Sequence, residues 1–469
     1  MNIFQYFESK FNSILAELVG QGLLPENLDA TRVVFELPRD ASHGDLATNA
    51  AMILAKPAQK PPHDLATMFA TEFAKIDGVN GVEIAGPGFI NLRVLPILWA
   101  RQITDILIKG EQYGRSQIGA GAHVNVEFVS ANPTGPLHAA HARGAVIGDA
   151  LAGLMEFCGW NVTREYYIND AGGQVDVLAR SAYLRYCEAL GRDIGDIPAG
   201  LYPGIYLKDV GEALVARDGK RHLDQPETEW IDFVREFSID AIMQGIKDDL
   251  KALGIKMDKF SSERRLVDSG AVQRAIEKLQ QDGHLYHGVL QPPKGKEPED
   301  WEPREQLLFK ASAFGDDTDR PLKKSDGTWT YFAADVAYHL DKLERTQGRL
   351  INVFGADHGG YIKRMNAAVA ALSGNDSMLD IKLCQLVNMR DKGVPVKMSK
   401  RAGTFVTVRD VIDSVGANVM RFIMLTRRND QTLDFDFENT DKQQITGNVY
   451  LAKVTRVEPS LQAAFLDYG

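Results

Sequence analysis

The segment from His123 to Phe157 constrains the fold more than any other part of the sequence, because it holds a strand, a tight turn and a helix in direct succession. The apolar alternation of VNVEFVS predicts a buried strand, and the segment from Ala142 to Phe157 repeats apolar residues at helical spacing. Later, RLINVFGADHGGY and IKLCQLVNM predict further strands. Strands that alternate with long helices are typical of parallel sheets covered by helices, so we predict an α/β, doubly wound domain.

Changes of pattern divide the chain into domains. Residues 1–110 alternate helical patterns with short strands and predict a small α+β domain, which a glycine-containing polar linker follows. The larger domain is expected to span residues 120–437. A mostly helical and irregular stretch at about residues 175–328 is predicted to be an insertion within it.

The composition excludes several classes of protein. The chain is 44% hydrophobic and 25% charged, and it has no run of about 20 apolar residues that a membrane helix needs. A net charge of −10 argues against a protein that coats nucleic acid, although a local basic patch remains possible. The first helix pattern carries Glu8 and Glu17, unlike an export leader. We therefore expect a cytoplasmic protein without membrane contact, and a monomer.

Two histidines follow the predicted strand. Ligands of a parallel sheet bind beyond the carboxyl ends of its strands, and the start of the next helix can hold a phosphate. Gly135 and Pro136 favour a tight turn there, and His138 and His141 are one helical turn apart. Their imidazoles could donate hydrogen bonds to a triphosphate during in-line attack on its α-phosphorus. Taken alone, the H-x-x-H pattern also fits a zinc pair or two capping histidines, but no Cys partner or H-E-x-x-H pattern accompanies it, so we expect no metal site.

A short basic segment, VKMSKRAGTF, is the second candidate for phosphate binding. Lys397 and Lys400 surround Met398 and Ser399, and ammonium groups on flexible stems could neutralise the β- and γ-phosphates. Glycines on both sides suit a mobile loop that closes over ATP. The competing interpretation is a basic loop that is simply solvated.

Together these motifs resemble a known family. HAAH and KMSK resemble the HIGH and KMSKS signatures of class I aminoacyl-tRNA synthetases, with Ala140 where HIGH has glycine, so its methyl group is expected to crowd the adenine ring. EFVSANPTGPLH, REYYINDAGGQ, TYFAADVAYHLDKL, GADHGGY and KMSKRAGTFVTVRD resemble arginyl-tRNA synthetases, over roughly residues 30–440. The resemblance implies a Rossmann-type catalytic domain that uses ATP with Mg²⁺ to activate L-arginine and transfers it to tRNA(Arg). It also implies that the N-terminal domain contacts the tRNA.

The resemblance also implies roles for individual residues. The catalytic residues would be His138, His141, Lys397 and Lys400. Besides the two histidines, the residues that contact ATP would be Gly135, Pro136, Met398 and Ser399. The residues that bind arginine would be Glu127, Ser130, Asn132, Tyr331, Asp335, Asp357 and His358. Carboxylates suit this substrate, because a guanidinium group pairs with them in a forked geometry.

Two of these residues have competing interpretations. Tyr331 and Asp335 are four residues apart and would share one face of a helix. Asp335 could instead pair with a surface lysine, but its small apolar flanks favour a buried position. Asp357 could simply form a turn.

The resemblance fades after DFDFENTDK. We therefore expect most of the helical anticodon-binding domain to be absent and residues 438–469 to be its remnant or its start. Two alternative functions stay open at this point. One is a non-catalytic or truncated synthetase-like protein that binds arginine or tRNA, and the other is an adenylyltransferase with a small acceptor.

Overall fold

The computed structural model describes residues 2–38, 40–290, 304–324, 326–391, 394–395, 406–437, 453–458 and 463–467. The chain divides into two compact units, Met1–Ser116 and Gln117–Gly469. No helix in the described ranges is long and apolar enough to cross a membrane.

The first unit is an antiparallel sheet packed against helices. Its helices are α1 (Ile3–Gly20), α2 (Ala50–Ala55), α3 (Pro62–Phe73) and α4 (Pro96–Lys109). Its strands are β1 (Phe35–Glu36), β2 (Leu46–Thr48), β3 (Val79–Ala85) and β4 (Phe89–Val94), in the order β1-β2-β4-β3. Phenylalanines fill the core, where Phe11 meets the edge of Phe69 with ring centres 5.1 Å apart.

The second unit contains the remaining elements. Its strands are β5 (His123–Glu127), β6 (Asn161–Ile168), β7 (Lys259–Ser262), β8 (Leu285–Gly288), β9 (Gln306–Phe309), β10 (Arg320–Pro321), β11 (Arg349–Gly355), β12 (Leu379–Cys384), β13 (Val387–Asp391), β14 (Val394–Pro395), β15 (Leu433–Phe437), β16 (Lys453–Glu458) and β17 (Ala463–Asp467). Its helices are α5 (Ala139–Phe157), α6 (Gly173–Ala189), α7 (Tyr206–Asp218), α8 (Glu227–Ala252), α9 (Glu263–Asp268), α10 (Ala271–Gln281), α11 (Tyr331–Thr346), α12 (Ile362–Ser373), α13 (Val408–Val415) and α14 (Ala417–Leu425).

A parallel sheet of order β12-β11-β5-β6-β7 forms the centre of this unit. The chain runs outward in one direction from β5 to β7 and in the other from β11 to β12. The order therefore reverses between β5 and β11, and ligands of such sheets bind beyond the strand ends at this switch point. The α/β, doubly wound Rossmann-type fold predicted from the sequence is confirmed.

The core forms because the sheet and its helices share apolar faces. Val124 and Val126 of β5 are buried together with Ala142 and Val146 of α5. At Gly148 the backbone of α5 lies directly against the Phe128 ring, so any side chain at that position would overlap the ring. This close packing fixes the middle of α5 against Phe128, the residue that follows β5.

Two predicted boundaries need correction. The predicted insertion at 175–328 is interrupted, because β7 lies inside that range and pairs with β6 as a strand of the central sheet. Its sequence, KFSS, is short and polar and gives no apolar signal. In the tail, where the sequence predicted a helical remnant, the described residues form β16 and β17, which pair as antiparallel strands.

Candidate active site

An unusual backbone turn follows β5. Val129 and Ser130 both have positive φ angles, of 69° and 39°, which non-glycine residues adopt rarely and most often at functional sites. The turn lets the Ser130 hydroxyl donate to the Glu127 carboxylate at 3.0 Å and accept from the backbone N–H of Tyr167 at 3.0 Å. Ser130 therefore joins the carboxyl ends of β5 and β6.

The predicted histidine pair lies at the start of α5. His138 precedes the first helical residue, and the rings of His138 and His141 stack with centres 3.5 Å apart. The backbone N–H of His138 donates to Nδ1 of His141 at 3.2 Å, which leaves the proton of a neutral His141 ring on Nε2. Both imidazoles thus lie beside the first amides of a helix, where a phosphate is favoured.

Gly135 is closely covered in the same turn. The Tyr206 hydroxyl donates to the carbonyl of Thr134 at 2.6 Å, and a Cβ atom added to Gly135 would lie 3.1 Å from the Tyr206 ring. Pro136 is half-buried beside it. We call residues Gly135–His141 the histidine turn.

The chain that follows the KMSK motif returns to the histidine turn. The backbone N–H of Ala139 donates to the carbonyl of Val406 at 3.0 Å, and the N–H of Val408 donates to the carbonyl of Leu137 at 2.8 Å. Lys397, Met398, Ser399 and Lys400 themselves lie outside the described residues. Val406, the first described residue after this motif, therefore lies beside the histidine turn.

Two carboxyl groups form the most unusual electrostatic feature of the unit. Asp335 belongs to the second turn of α11, and Glu263 is the first residue of α9. Burial raises the pKa of Asp335 to about 8, with added repulsion from Glu263 and Glu127 that Arg364 only partly offsets. Burial raises the pKa of Glu263 to about 7, with added repulsion from Asp170.

Within the described part of the chain, neither of these two carboxyl groups forms a hydrogen bond or an ion pair. Carboxyl groups that are removed from water without a cation are costly, and their perturbed pKa values often mark a binding site. We call Asp335 and Glu263 the acid pair. A cationic ligand would complete it.

The sequence identified one of the two residues of the acid pair. Asp335 was a predicted arginine-binding residue, whereas Glu263 was missed because SSERRL has the composition of an ordinary exposed helix start. Glu263 is only 5% exposed, although glutamate is rarely buried without a partner. Nothing in the local sequence signals this burial, which arises from packing of distant elements.

Glu127, a predicted arginine-binding residue, has partners inside the protein. The carboxylate is 4% exposed and accepts from the Lys342 ammonium at 2.8 Å as well as from Ser130. The Lys342 ammonium is thus the partner of this carboxylate inside the protein, while the charge of Glu127 still contributes to the raised pKa of Asp335. The sequence could not reveal this pairing, because Lys342 lies more than two hundred residues away along the chain.

The other predicted arginine-binding residues surround the same edge of the sheet. Tyr331 begins α11 and is 59% exposed, one helical turn before Asp335. Asn132 donates through its amide to the side chain of Gln174 at 3.2 Å. Asp357 and His358 follow the end of β11 in an exposed turn, with the nearest atoms of their side chains 3.8 Å apart.

Comparison with known proteins agrees with this geometry. Residues 5–94 match the family model of the arginyl tRNA synthetase N terminal domain, and residues 102–199 match that of the class I (R) tRNA synthetase catalytic domain. The chain is 57% identical over 450 residues to the arginine–tRNA ligase of Cereibacter sphaeroides, and the match covers 96% of this chain and 77% of that relative. The arginine–tRNA ligase of Roseobacter denitrificans is 54% identical, with 99% of this chain and 81% of the relative covered.

The Thermus thermophilus arginyl-tRNA synthetase superposes with a TM-score of 0.61 over 92% of this chain and 77% of its own, and at 19% identity it supports the fold alone. The match to the Roseobacter enzyme extends through nearly all of the chain, so the prediction that the tail departs from the family, with most of the anticodon-binding domain absent, is not supported. On these matches, the chain belongs to the arginyl-tRNA synthetases, a family of class I aminoacyl-tRNA synthetases.

Proposed function

We propose that this chain is an arginine–tRNA ligase, which uses ATP to activate L-arginine as arginyl adenylate and then transfers the arginyl group to tRNA(Arg). The observation that supports this most directly is the acid pair. Glu263 is buried and Asp335 is half-buried near the switch point of the parallel sheet, and neither carboxyl group forms an ion pair among the described residues. Arginine is the amino acid whose side chain supplies a permanent, planar cation with five donors.

Substrate recognition follows from this charge pattern. The guanidinium group stays protonated throughout the working pH range, so its arrival favours the ionised forms of Asp335 and Glu263. Each carboxylate can accept two parallel hydrogen bonds from such a group. Tyr331, one turn before Asp335, is proposed to cover the aliphatic part of the substrate at the rim. Ser130 and Asn132 are proposed to orient its amino and carboxylate groups, with Glu127 acting on Ser130 rather than on the substrate.

Activation is proposed to occur at the histidine turn. An oxygen of the arginine carboxylate attacks the α-phosphorus of ATP, the bond from that phosphorus to the β-phosphate oxygen breaks, and pyrophosphate leaves. His138 and His141 would stabilise the developing charge as hydrogen-bond donors, and Gly135 and Pro136 would let the backbone approach the phosphates. Mg²⁺ is proposed to arrive with ATP as part of that substrate.

The KMSK loop is proposed to act at the same phosphates. Lys397 and Lys400 would neutralise the leaving pyrophosphate, while Met398 and Ser399 would contact the nucleotide. This proposal is supported by the hydrogen bond from the Ala139 N–H to the carbonyl of Val406, a residue that follows the motif in the sequence.

Transfer completes the proposed reaction. A ribose hydroxyl of the terminal adenosine of tRNA attacks the carbonyl carbon of the adenylate, and AMP leaves. Asp357 and His358, exposed at the end of β11, are proposed to contact the substrate or the ribose. We further propose that residues 1–110 contact the tRNA, that residues 120–437 carry the catalysis, and that the protein is a cytoplasmic monomer. No observation favours the non-catalytic or small-acceptor alternatives.

The test is an aminoacylation assay with total bacterial tRNA, MgATP and each of the twenty amino acids in turn. Arginine alone is expected to be attached. The Asp335→Asn variant serves as a control that keeps the shape of the side chain and removes its charge. Attachment of a different amino acid would refute the substrate assignment, and arginine binding without any charging of tRNA would favour the non-catalytic alternative.

A further inference from the structure

A fully buried lysine, Lys342, lies two helical turns after Asp335 in α11. The Lys342 side chain of α11 has no exposure to solvent, and its ammonium donates to Glu127 at 2.8 Å and to the Asn352 side chain at 2.7 Å. It also lies 5.0 Å from the centre of the Tyr338 ring, which provides a third favourable contact for the cation. The three donors of this ammonium are thus directed at three partners.

The partners of Lys342 are themselves held in place. Glu127 and Asn352 are neighbours across the β5–β11 pairing. The Asn352 amide approaches Nε2 of His339 at 3.0 Å, and Nδ1 of His339 approaches the backbone carbonyl of Asp335 at 2.9 Å. Burial, followed by the charge of Lys342, lowers the pKa of His339 to about 3, so this ring stays neutral near pH 7. The ammonium is therefore fixed against two strands.

The contacts of Lys342 affect the net charge of the site that a substrate would enter. A buried ion pair seldom adds net stability over an apolar pair of similar size, so its presence here calls for a role other than stability. Two other carboxyl groups, Glu127 and Glu263, raise the pKa of Asp335. The substrate guanidinium brings a single positive charge. Lys342 would offset the additional negative charge by pairing with Glu127.

We propose that Lys342 is a specificity-determining residue that sets the net charge of the arginine site, by neutralising Glu127 so that the substrate meets the two carboxylates of the acid pair and not three. Lys342 acts through Glu127 and need not touch the substrate. This inference rests on the proposed function, because it takes arginine to be the ligand of the acid pair.

The test compares the pH midpoint of the arginine KM among variants of the full chain. Asp335 is faced by Glu263 from α9, Glu127 from β5 and Arg364 from α12. Lys342→Met leaves an uncompensated negative charge, which should raise the midpoint by about one pH unit. The arginine KM at pH 7.5 should then rise roughly 10-fold, with the ATP KM changed less than about 2-fold.

Two further variants test whether the balance of charge between Glu127 and Lys342 sets the pH midpoint. Glu127→Gln leaves an uncompensated positive charge and should shift the midpoint in the opposite direction, to lower pH. The double variant E127Q/K342M restores the balance and should bring the arginine KM back to within about 3-fold of the unmodified protein. If K342M alone fails to fold, E127Q and the double variant still decide the question.

A matched control is the ion pair between Arg345 and Glu165, which also joins α11 to the sheet, at 2.9 Å, and buries its carboxylate completely. Arg345→Met should lower stability without moving the midpoint. The proposal is overturned if K342M or E127Q keeps the original midpoint, or if the double variant is as defective as K342M. If the unmodified protein attaches no arginine to tRNA, the proposed function fails and this inference fails with it.

Discussion

We predict that the acid pair makes arginine binding depend on pH, because both carboxyl groups would have to ionise to pair with the guanidinium. The perturbation is a change from pH 6 to pH 9, over which arginine keeps its side-chain charge. Burial raises the pKa of Asp335 to about 8, so a carboxyl that is ordinarily ionised at pH 6 is almost entirely protonated there. Affinity for arginine should therefore increase as the pH rises through this pKa.

The size of the change follows from the ionised fraction. With a pKa of about 8 for Asp335, ionisation is roughly 1% complete at pH 6 and roughly 90% complete at pH 9, so the apparent Kd should fall about 100-fold. Glu263, with a pKa of about 7, adds to the change below pH 7. At pH 7, where Asp335 is roughly 90% and Glu263 roughly 50% protonated, binding should release about 1.4 protons from the pair.

Isothermal titration calorimetry of arginine, repeated in buffers with different ionisation enthalpies, measures both quantities. The Asp335→Asn variant should bind arginine roughly 10- to 150-fold more weakly at pH 9, because it loses a charge-assisted hydrogen bond. Its affinity should change little above pH 8. A wild-type Kd that is flat between pH 6 and 9, with no proton released, would refute the reasoning.

Three further outcomes test other parts of the site and the fold. Replacing His141 by alanine should slow arginine-dependent pyrophosphate exchange roughly 100-fold while leaving the arginine Kd nearly unchanged, and unaltered exchange would remove its proposed role. Lys400→Ala should likewise slow exchange in the presence of tRNA without weakening arginine binding, with the exposed Lys363→Ala as the matched control. Gly148→Ala should lower the free energy of unfolding by about 1–3 kcal/mol in urea denaturation, since the new methyl group overlaps Phe128; a change under about 0.5 kcal/mol would contradict the packing described here.

The sequence predicted the central strand, turn and helix because their signals are local. Alternating apolar residues mark β5, a glycine and a proline mark the turn, and helical spacing marks α5. The two histidines were predicted together with this segment, since their spacing places both on one helical turn. The small apolar neighbours of Asp335 also indicated its partial burial correctly.

Pairing between residues that are far apart along the chain could not be predicted from local signals. Glu127 was predicted to bind arginine, but its partner Lys342, which belongs to another element, was not predicted. Glu263 follows β7, a strand too short and polar to be recognised, so neither the strand nor the buried acid could be predicted. Such features depend on which elements pack together, and a single sequence carries no direct record of that.

The most direct test of the account compares arginine with citrulline, which has the same shape but a neutral urea group in place of the guanidinium. We attribute recognition of arginine to the charge of Asp335 and Glu263. The kcat/KM for tRNA charging should therefore be at least about 1000-fold lower with citrulline than with arginine. Citrulline would bring no cation to the acid pair, so its binding would not favour the ionised carboxylates. Charging of citrulline with a kcat/KM within about 10-fold of that for arginine would contradict the central claim.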